Sequence, residues 1–389
     1  WLPAQQVSIL KQFETMLEAR AAAVILCAIF SGSLAVEHEF CNHSIPVRGS
    51  IKQMPSRGYM TCCNIPLLTK ENVVSSVKTY LWRGGRLIDT AQLYWNTEQY
   101  IGLAIRDAGV PREEIWLQSK VNTLNWSPDQ GSPKDWVLEQ VDKSLQAIGV
   151  SFLNVMSLHF GPQQVELQTG KVVSPEEHLE MWKGLIEARR LGKILNLGVC
   201  EHSQLEIQNL MQIETPAVAL VWLNPWVADG QKAYAAWLRD SGIALVAYGL
   251  FNFAMLPGGG SYMPLAGQVA KQHGVTYGQF MIRWAHQQGF AFITGLYHEE
   301  YMLEDAVCLN FNVTSQDIAI LQSQKSWPCE MTEHCTQQYL PGCTPPEMGP
   351  QHHVWSNWDA VSCAWNFAKP GETMLLTKPN GVWNFAKPG

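Results

Sequence analysis

The sequence predicts an α/β chain built as one (β/α)8 TIM barrel over residues 54–321, between an N-terminal signal-like segment and an irregular, Cys- and Trp-containing C-terminal tail. Three observations carry this. Eight short apolar runs alternate with stretches of helical spacing, and parallel strands need a crossover of that kind between them. Three runs end in titratable residues: Asp89 after Leu87-Ile88, Lys120 after 114–119, and His159 after 152–158, with Tyr94 just beyond Asp89. In a parallel barrel the strand C-termini gather at one mouth, so these side chains converge there. Third, 47% apolar and 16% charged residues over 389 positions suit one large core.

The units follow in order. Residues 58–62 read as the first strand, and 69–83 as a helix with Val73, Val74, Val77 and Leu81 on one face. Strand 86–89 leads to helix 97–109, which Gly109 and Pro111 terminate. Strand 114–119 precedes helix 134–148, and strand 152–158 precedes helix 175–191, ended by Gly192. The remaining pairs are 194–199 with 203–213, 217–222 with 230–241, 243–248 with 276–288, and 290–294 with 298–309. The Gly-rich stretch 256–264 lacks the Lys-Ser/Thr ending of a phosphate loop, so it reads as a lid or connection beside the mouth.

Past Leu321 the alternation stops. Residues 322–389 hold Cys329, Cys335, Cys343 and Cys363, and a heptad that occurs twice, as Trp365–Gly371 and Trp383–Gly389. Two copies are too few to build a repeat core. The extension is expected to be poorly ordered, and its aromatic repeats are where a protein partner would attach.

A net charge of −7 and a pI near 5.9 exclude nucleic acid as a main partner. At the other end, Arg20 precedes the apolar run 21–30, and small residues follow to Ala35. That order is a signal peptide's, which makes 1–35 a removable segment and 36–53 a lead-in. The run is short for the ~20 residues of a membrane span. Two alternatives stay open: a helix packed on the barrel, or an uncleaved anchor that would bring the chain to a membrane. Ten cysteines and sequons at Asn42, Asn125 and Asn312 agree with a secretory or extracellular location; without a signal the chain is cytoplasmic.

Several spaced motifs resemble those of the aldo-keto reductases. They are Met54-Pro-Ser-Arg-Gly-Tyr-Met-Thr61, Asp89-Thr-Ala-Gln-Leu-Tyr-Trp-Asn96, Ser119-Lys120, Leu158-His159 with Pro162, and Gly192-Lys-Ile-Leu-Asn-Leu-Gly-Val199. The resemblance implies reduction of a small-molecule carbonyl substrate by hydride from NADPH or NADH. Tyr94 would be the general acid, Lys120 its tuner, Asp89 the partner of Lys120, and His159 a hydrogen-bond donor to the carbonyl. A free tyrosine titrates near 10, so an adjacent ammonium that favours phenolate brings it toward working pH.

The resemblance also places Thr61, Cys200, Glu201, Tyr248, Gly295 and Leu296 at the cofactor. Several of these depart from the family pattern. Cys200-Glu201 stands for a Ser-Asn pair and Leu220 for a Gln that together hold the nicotinamide carboxamide, and leucine cannot hydrogen-bond an amide. The segment Ile293-Thr-Gly-Leu296 replaces Ile-Pro-Lys-Ser, and Tyr301 stands for an Arg, so both phosphate-gripping cations are missing. Glu299, Glu300 and Glu304 lie close by. Two readings follow: a working reductase with altered cofactor contacts, or a non-catalytic barrel that serves as a binding or structural subunit. A third, a secreted ligand-binding barrel, rests on the signal-like segment alone. Asn122 occupies a position where the family commonly has tryptophan, and Trp95 and Trp126 are the nearby aromatics for a pocket wall.

Overall fold

The computed structural model describes residues 43–62, 68–227, 229–251, 264–307 and 309–323, together with two short strands at 375–377 and 384–386. Eight parallel strands close into a barrel. They are β3 (Arg57–Met60), β4 (Leu87–Asp89), β5 (Trp116–Val121), β6 (Leu153–Leu158), β7 (Ile194–Cys200), β8 (Val218–Trp222), β9 (Ala244–Tyr248) and β10 (Ala291–Thr294), with β10 pairing back onto β3. Before them, β1 (Ser44–Ile45) and β2 (Met54–Pro55) form an antiparallel hairpin. The first barrel strand begins one residue earlier and ends two residues sooner than the sequence predicts.

Strand periodicity decides what faces inward. Trp116, Gln118 and Lys120 alternate along β5, and Val155 and Ser157 along β6, the two strands in register at Lys120 and Ser157. An apolar layer of Leu87, Trp116, Val155, Val218, Val246, Ala291 and Ile293 packs with Val47 and Met54 of the hairpin. The barrel is therefore plugged by side chains at that level, as a ring of eight strands should be. Above the plug the inward positions of β4 to β6 turn polar. Outward-facing residues such as Ile88, Leu117, Met156 and Val199 build the larger core with the helices.

The helices start where the sequence supplies caps. They are α1 (Lys70–Trp82), α2 (Thr97–Ala108), α3 (Pro133–Ile148), α4 (Pro162–Thr169), α5 (Pro175–Arg190), α6 (Gln204–Met211), α7 (Asp229–Asp240), α8 (Pro264–Gln272), α9 (Tyr277–Gln288), α10 (Glu299–Ala306) and α11 (Ser315–Ser323). Reciprocal capping boxes open α5, α6 and α9 through Ser174/Glu177, Ser203/Glu206 and Thr276/Gln279. Helices α2 and α3 meet at Gly102, where a Cβ would stand 1.9 Å from the Ile148 carbonyl oxygen.

Three helices were not expected: α4, α8 and α11. Helix α4 begins on Pro162 and ends at Gly170, but only Val165 of its side chains is buried, so no apolar stripe announced it. The expected helix 298–309 is shorter, ending at Ala306. The apolar run 21–30, most of the Gly-rich stretch, the four tail cysteines and the first heptad copy lie outside the described residues. The second copy supplies strand β12 (Asn384–Ala386), paired antiparallel with β11 (Leu375–Thr377). Among the described residues no helix is long and apolar enough to cross a membrane.

Candidate active site

Asp89 ends β4 and is fully buried beside the plug. Lys120, two residues above Gln118 on β5, is 2% exposed. Its ammonium has three hydrogens and meets three oxygens: Asp89 Oδ2 at 2.7 Å, the Thr90 carbonyl at 2.9 Å and the Tyr94 hydroxyl at 3.2 Å. The ammonium also lies 4.7 Å from the centre of the Tyr94 ring. Asp89 is held from its other oxygen by Gln118 Nε2 at 2.9 Å. The lysine is thus fixed on every hydrogen.

Burial pushes the Asp89 carboxyl up, while the Lys120 charge and hydrogen bonds from Lys120 and Gln118 pull it down. Around the pair the lysine nitrogen meets only acceptors and the Asp89 oxygens meet only donors. Tyr94 sits in the turn leading to α2, 7% exposed, with Cys62 and Ala91 against it. Cys62 is disulfide-bonded. Lysine can only donate, so the Tyr94 oxygen accepts from it and the phenolic hydrogen is directed elsewhere.

His159 follows β6 and stacks on Phe160 with centroids 4.2 Å apart. It meets Tyr94 edge-on at 5.8 Å. Burial, then the Lys120 and His202 charges, hold it well below the usual histidine range, so the ring is neutral. Its Nδ1 and the Asn122 Oδ1 are buried without a partner. The structure therefore brings Asp89, Tyr94, Lys120 and His159 together at the C-terminal mouth.

The expected cofactor residues divide. Tyr248 ends β9 half-buried, its ring edge-on to Trp222 at 5.6 Å. Cys200 and Leu220 are buried in the same inner wall, and Glu201 follows with φ of 50°, a left-handed turn. Thr61 is buried, and its hydroxyl joins Thr90 at 3.1 Å and Thr97 at 3.2 Å in a cluster of threonines. Gly295 is exposed, whereas Leu296 is buried in the core. Arg83 reaches the start of α10, but its guanidinium is engaged by Glu299.

Gln118 and Phe160 were missed in the sequence. The first could have been found from strand periodicity, since it shares the inward face with Lys120. A buried pair, His178 and His202, was missed as well. Their Nε2 atoms are 3.0 Å apart, and His202 Nδ1 lies 2.6 Å from the Cys200 carbonyl. Nothing in their sequence spacing signals it.

The fold is a closed (β/α)8 barrel with Asp89, Tyr94, Lys120 and His159 gathered at its mouth. The chain belongs to the aldo/keto reductase family, whose model matches residues 67–325. An aldo-keto reductase of Mycolicibacterium smegmatis is 31% identical over 259 residues, covering 65% of this chain and 84% of the relative. The methylglyoxal reductase of Escherichia coli O157:H7 is 26% identical, covering 64% and 86%. Among solved structures, a Bombyx mori aldo-keto reductase in complex with NADP superposes with a TM-score of 0.60 at 22% identity, covering 72% of this chain and 93% of that one.

Proposed function

We propose that the protein reduces a small aldehyde or ketone to an alcohol, with Tyr94 as proton donor. The observation that carries this is the three-point anchoring of Lys120, which leaves an ammonium 3.2 Å from the phenol oxygen. As Tyr94 gives its proton to the carbonyl oxygen, negative charge grows on the phenol, and the fixed ammonium stabilises it without reorganising. Asp89 holds Lys120 in place through the 2.7 Å contact to its Nζ. Neutral His159 donates an N–H to the same carbonyl oxygen and orients it.

A reduced nicotinamide cofactor supplies the hydride when bound. The mouth fits its ring end: Tyr248 offers a half-buried aromatic face, and Leu220 and Cys200 give an apolar floor. The adenosine end fits a dinucleotide without a 2′-phosphate, since Gly295 and Tyr301 carry no charge and Arg83 is already taken by Glu299. Two relatives are named a methylglyoxal reductase and a glyoxal reductase, which supports a small aldehyde as substrate. The test is consumption of NADH or NADPH with a panel of short aldehydes. Turnover with none of them would sink the proposal.

One observation favours a non-catalytic barrel instead. Buried Leu220 has no polar atom with which to anchor a carboxamide. Failure of both NADH and NADPH to bind would favour that reading. Exposed Asn125 and Asn312, each in a sequon, support passage through the secretory pathway. A glycosidase-sensitive shift in the secreted product tests that placement.

A further inference from the structure

Away from the mouth, helices α7 and α11 flank a cavity of about 840 Å³, within the ~300–1,000 Å³ usual for ligand pockets. None of Asp89, Tyr94, Lys120 or His159 lines it. Its floor is apolar, including Leu223, Ile243, Leu245, Trp284 and Phe290, each at least nine-tenths buried. Ile318 of α11 closes one side.

The opposite wall is one face of α7. Lys232, Ala235, Ala236 and Arg239 recur at helical spacing, so small side chains leave the middle open and a cation stands at each end. Seven residues separate the two cations, roughly 10 Å along the axis. Arg48 joins the Arg239 end: its Nη2 donates to the Ser241 carbonyl at 2.7 Å. Lys232 is paired with Asp229, whose side chain is 99% exposed. The Arg239 guanidinium pairs with no carboxylate among the described residues, and no Asp or Glu is among the described residues lining the cavity. In a chain of net charge −7, the charged groups that line this groove are all cations, and its other polar side chains, Asn224, Gln288, Ser315 and Gln322, are neutral.

We infer that this groove binds a long-chain carboxylate, a fatty acid, with its alkyl chain on the floor and its head group between Arg48 and Arg239. A peptide fits less well. Asn224 already donates to the Gly249 carbonyl and accepts from Trp226 N–H, and Gln322 donates to Pro225. Peptide amides laid on the apolar floor would lack partners there, whereas an alkyl chain needs none.

The test uses the full chain and the fluorescent fatty acid cis-parinaric acid, displaced by oleate. Saturable binding is expected with Kd on the order of micromolar. Arg239→Glu should weaken it by ~10-fold or more, and methyl oleate should compete correspondingly poorly. Ala235→Trp, which fills the middle of the groove, should abolish it, with melting curves checking that both variants fold. Aldehyde reduction should be unchanged in both, which separates this test from that of the catalytic reading. Absence of saturable binding, as when another part of this chain fills the groove, would overturn the inference. So would equal competition by oleate and its methyl ester, or unaltered binding in both variants.

Discussion

Lys120 Nζ stands 3.2 Å from the Tyr94 hydroxyl oxygen, at a lysine whose other two hydrogens are already held by Asp89 and the Thr90 carbonyl. The contact is directional as well as close. Because the ammonium can only donate, the tyrosine must present an oxygen to it and its hydrogen to something else. That is the arrangement a proton donor needs.

Tyr94→Phe should therefore abolish carbonyl reduction while leaving cofactor affinity nearly unchanged. The ring stays, so packing against Cys62 and Ala91 survives. Loss of a general acid costs typically ~10²–10⁴ in rate. Steady-state kinetics with parallel cofactor titration checks this. Wild-type turnover would remove Tyr94 from the mechanism.

The Lys120–Asp89 pair is sealed, at 2% and 0% side-chain exposure, so removing one partner strands a charge. Lys120→Met should lower stability by ~3–5 kcal/mol, read from denaturant unfolding. Adding Asp89→Asn should return part of that loss, since the amide carries no net charge. A double variant as unstable as the sum of the singles would show that the two residues do not act as a pair.

Three buried histidines, His159, His178 and His202, and the half-buried His286 give the fold a pH dependence. Burial is the leading cause that holds His159 and His178 well below the usual range, lowers His202, and brings His286 down to about 3. Their folded values lie below the unfolded ~6.5, so the unfolded chain binds protons first as pH falls. Their contribution is complete above ~6.5 and is lost progressively below it, by up to ~1.4 kcal/mol per pH unit for each group. Raised Asp89 and Glu98 act in the opposite sense, so a variant difference isolates the effect. His178→Gln keeps a donor toward His202 without titrating, and its melting temperature should fall less than wild type between pH 7 and 5, a window set by the ~6.5 reference value. Parallel slopes would contradict a neutral His178.

The barrel was legible in the sequence because strand-end residues and helix caps are local signals. Asp89, Lys120 and His159 each close an apolar run, and Ser174 and Thr276 each start a helix. Helix α4 was not legible, since it buries one side chain and shows no stripe. The quartet's chemistry was readable in residue types, but its electrostatics were not. Gln118 behind Asp89 and the His178–His202 contact depend on which residues the closed barrel makes neighbours. Thr61 is a motif position whose hydroxyl bonds within the fold, to Thr90 and Thr97, which its sequence neighbours do not signal.

Cofactor choice gives the sharpest prediction. At the start of α10, Arg83 is engaged by Glu299 and Glu304 accepts from the Thr276 hydroxyl. Burial first, and then the Glu300 and Glu304 charges, push the Tyr301 phenol up. A 2′-phosphate placed there meets carboxylates and an Arg83 that is already engaged, so binding should show little or no preference for NADPH over NADH. Gly295→Lys is a poor probe, because a Cβ there would stand 2.9 Å from the Tyr297 ring. Tyr301→Arg is the cleaner change, since the side chain is already half-exposed. One new charge-assisted contact is worth ~1.5–3 kcal/mol, so NADPH should gain roughly 10- to 100-fold over NADH. Both cofactors should be titrated into both proteins. Tight NADPH-selective binding by the wild type would mean that the phosphate sits elsewhere. Binding of neither cofactor by either protein would point to the non-catalytic barrel.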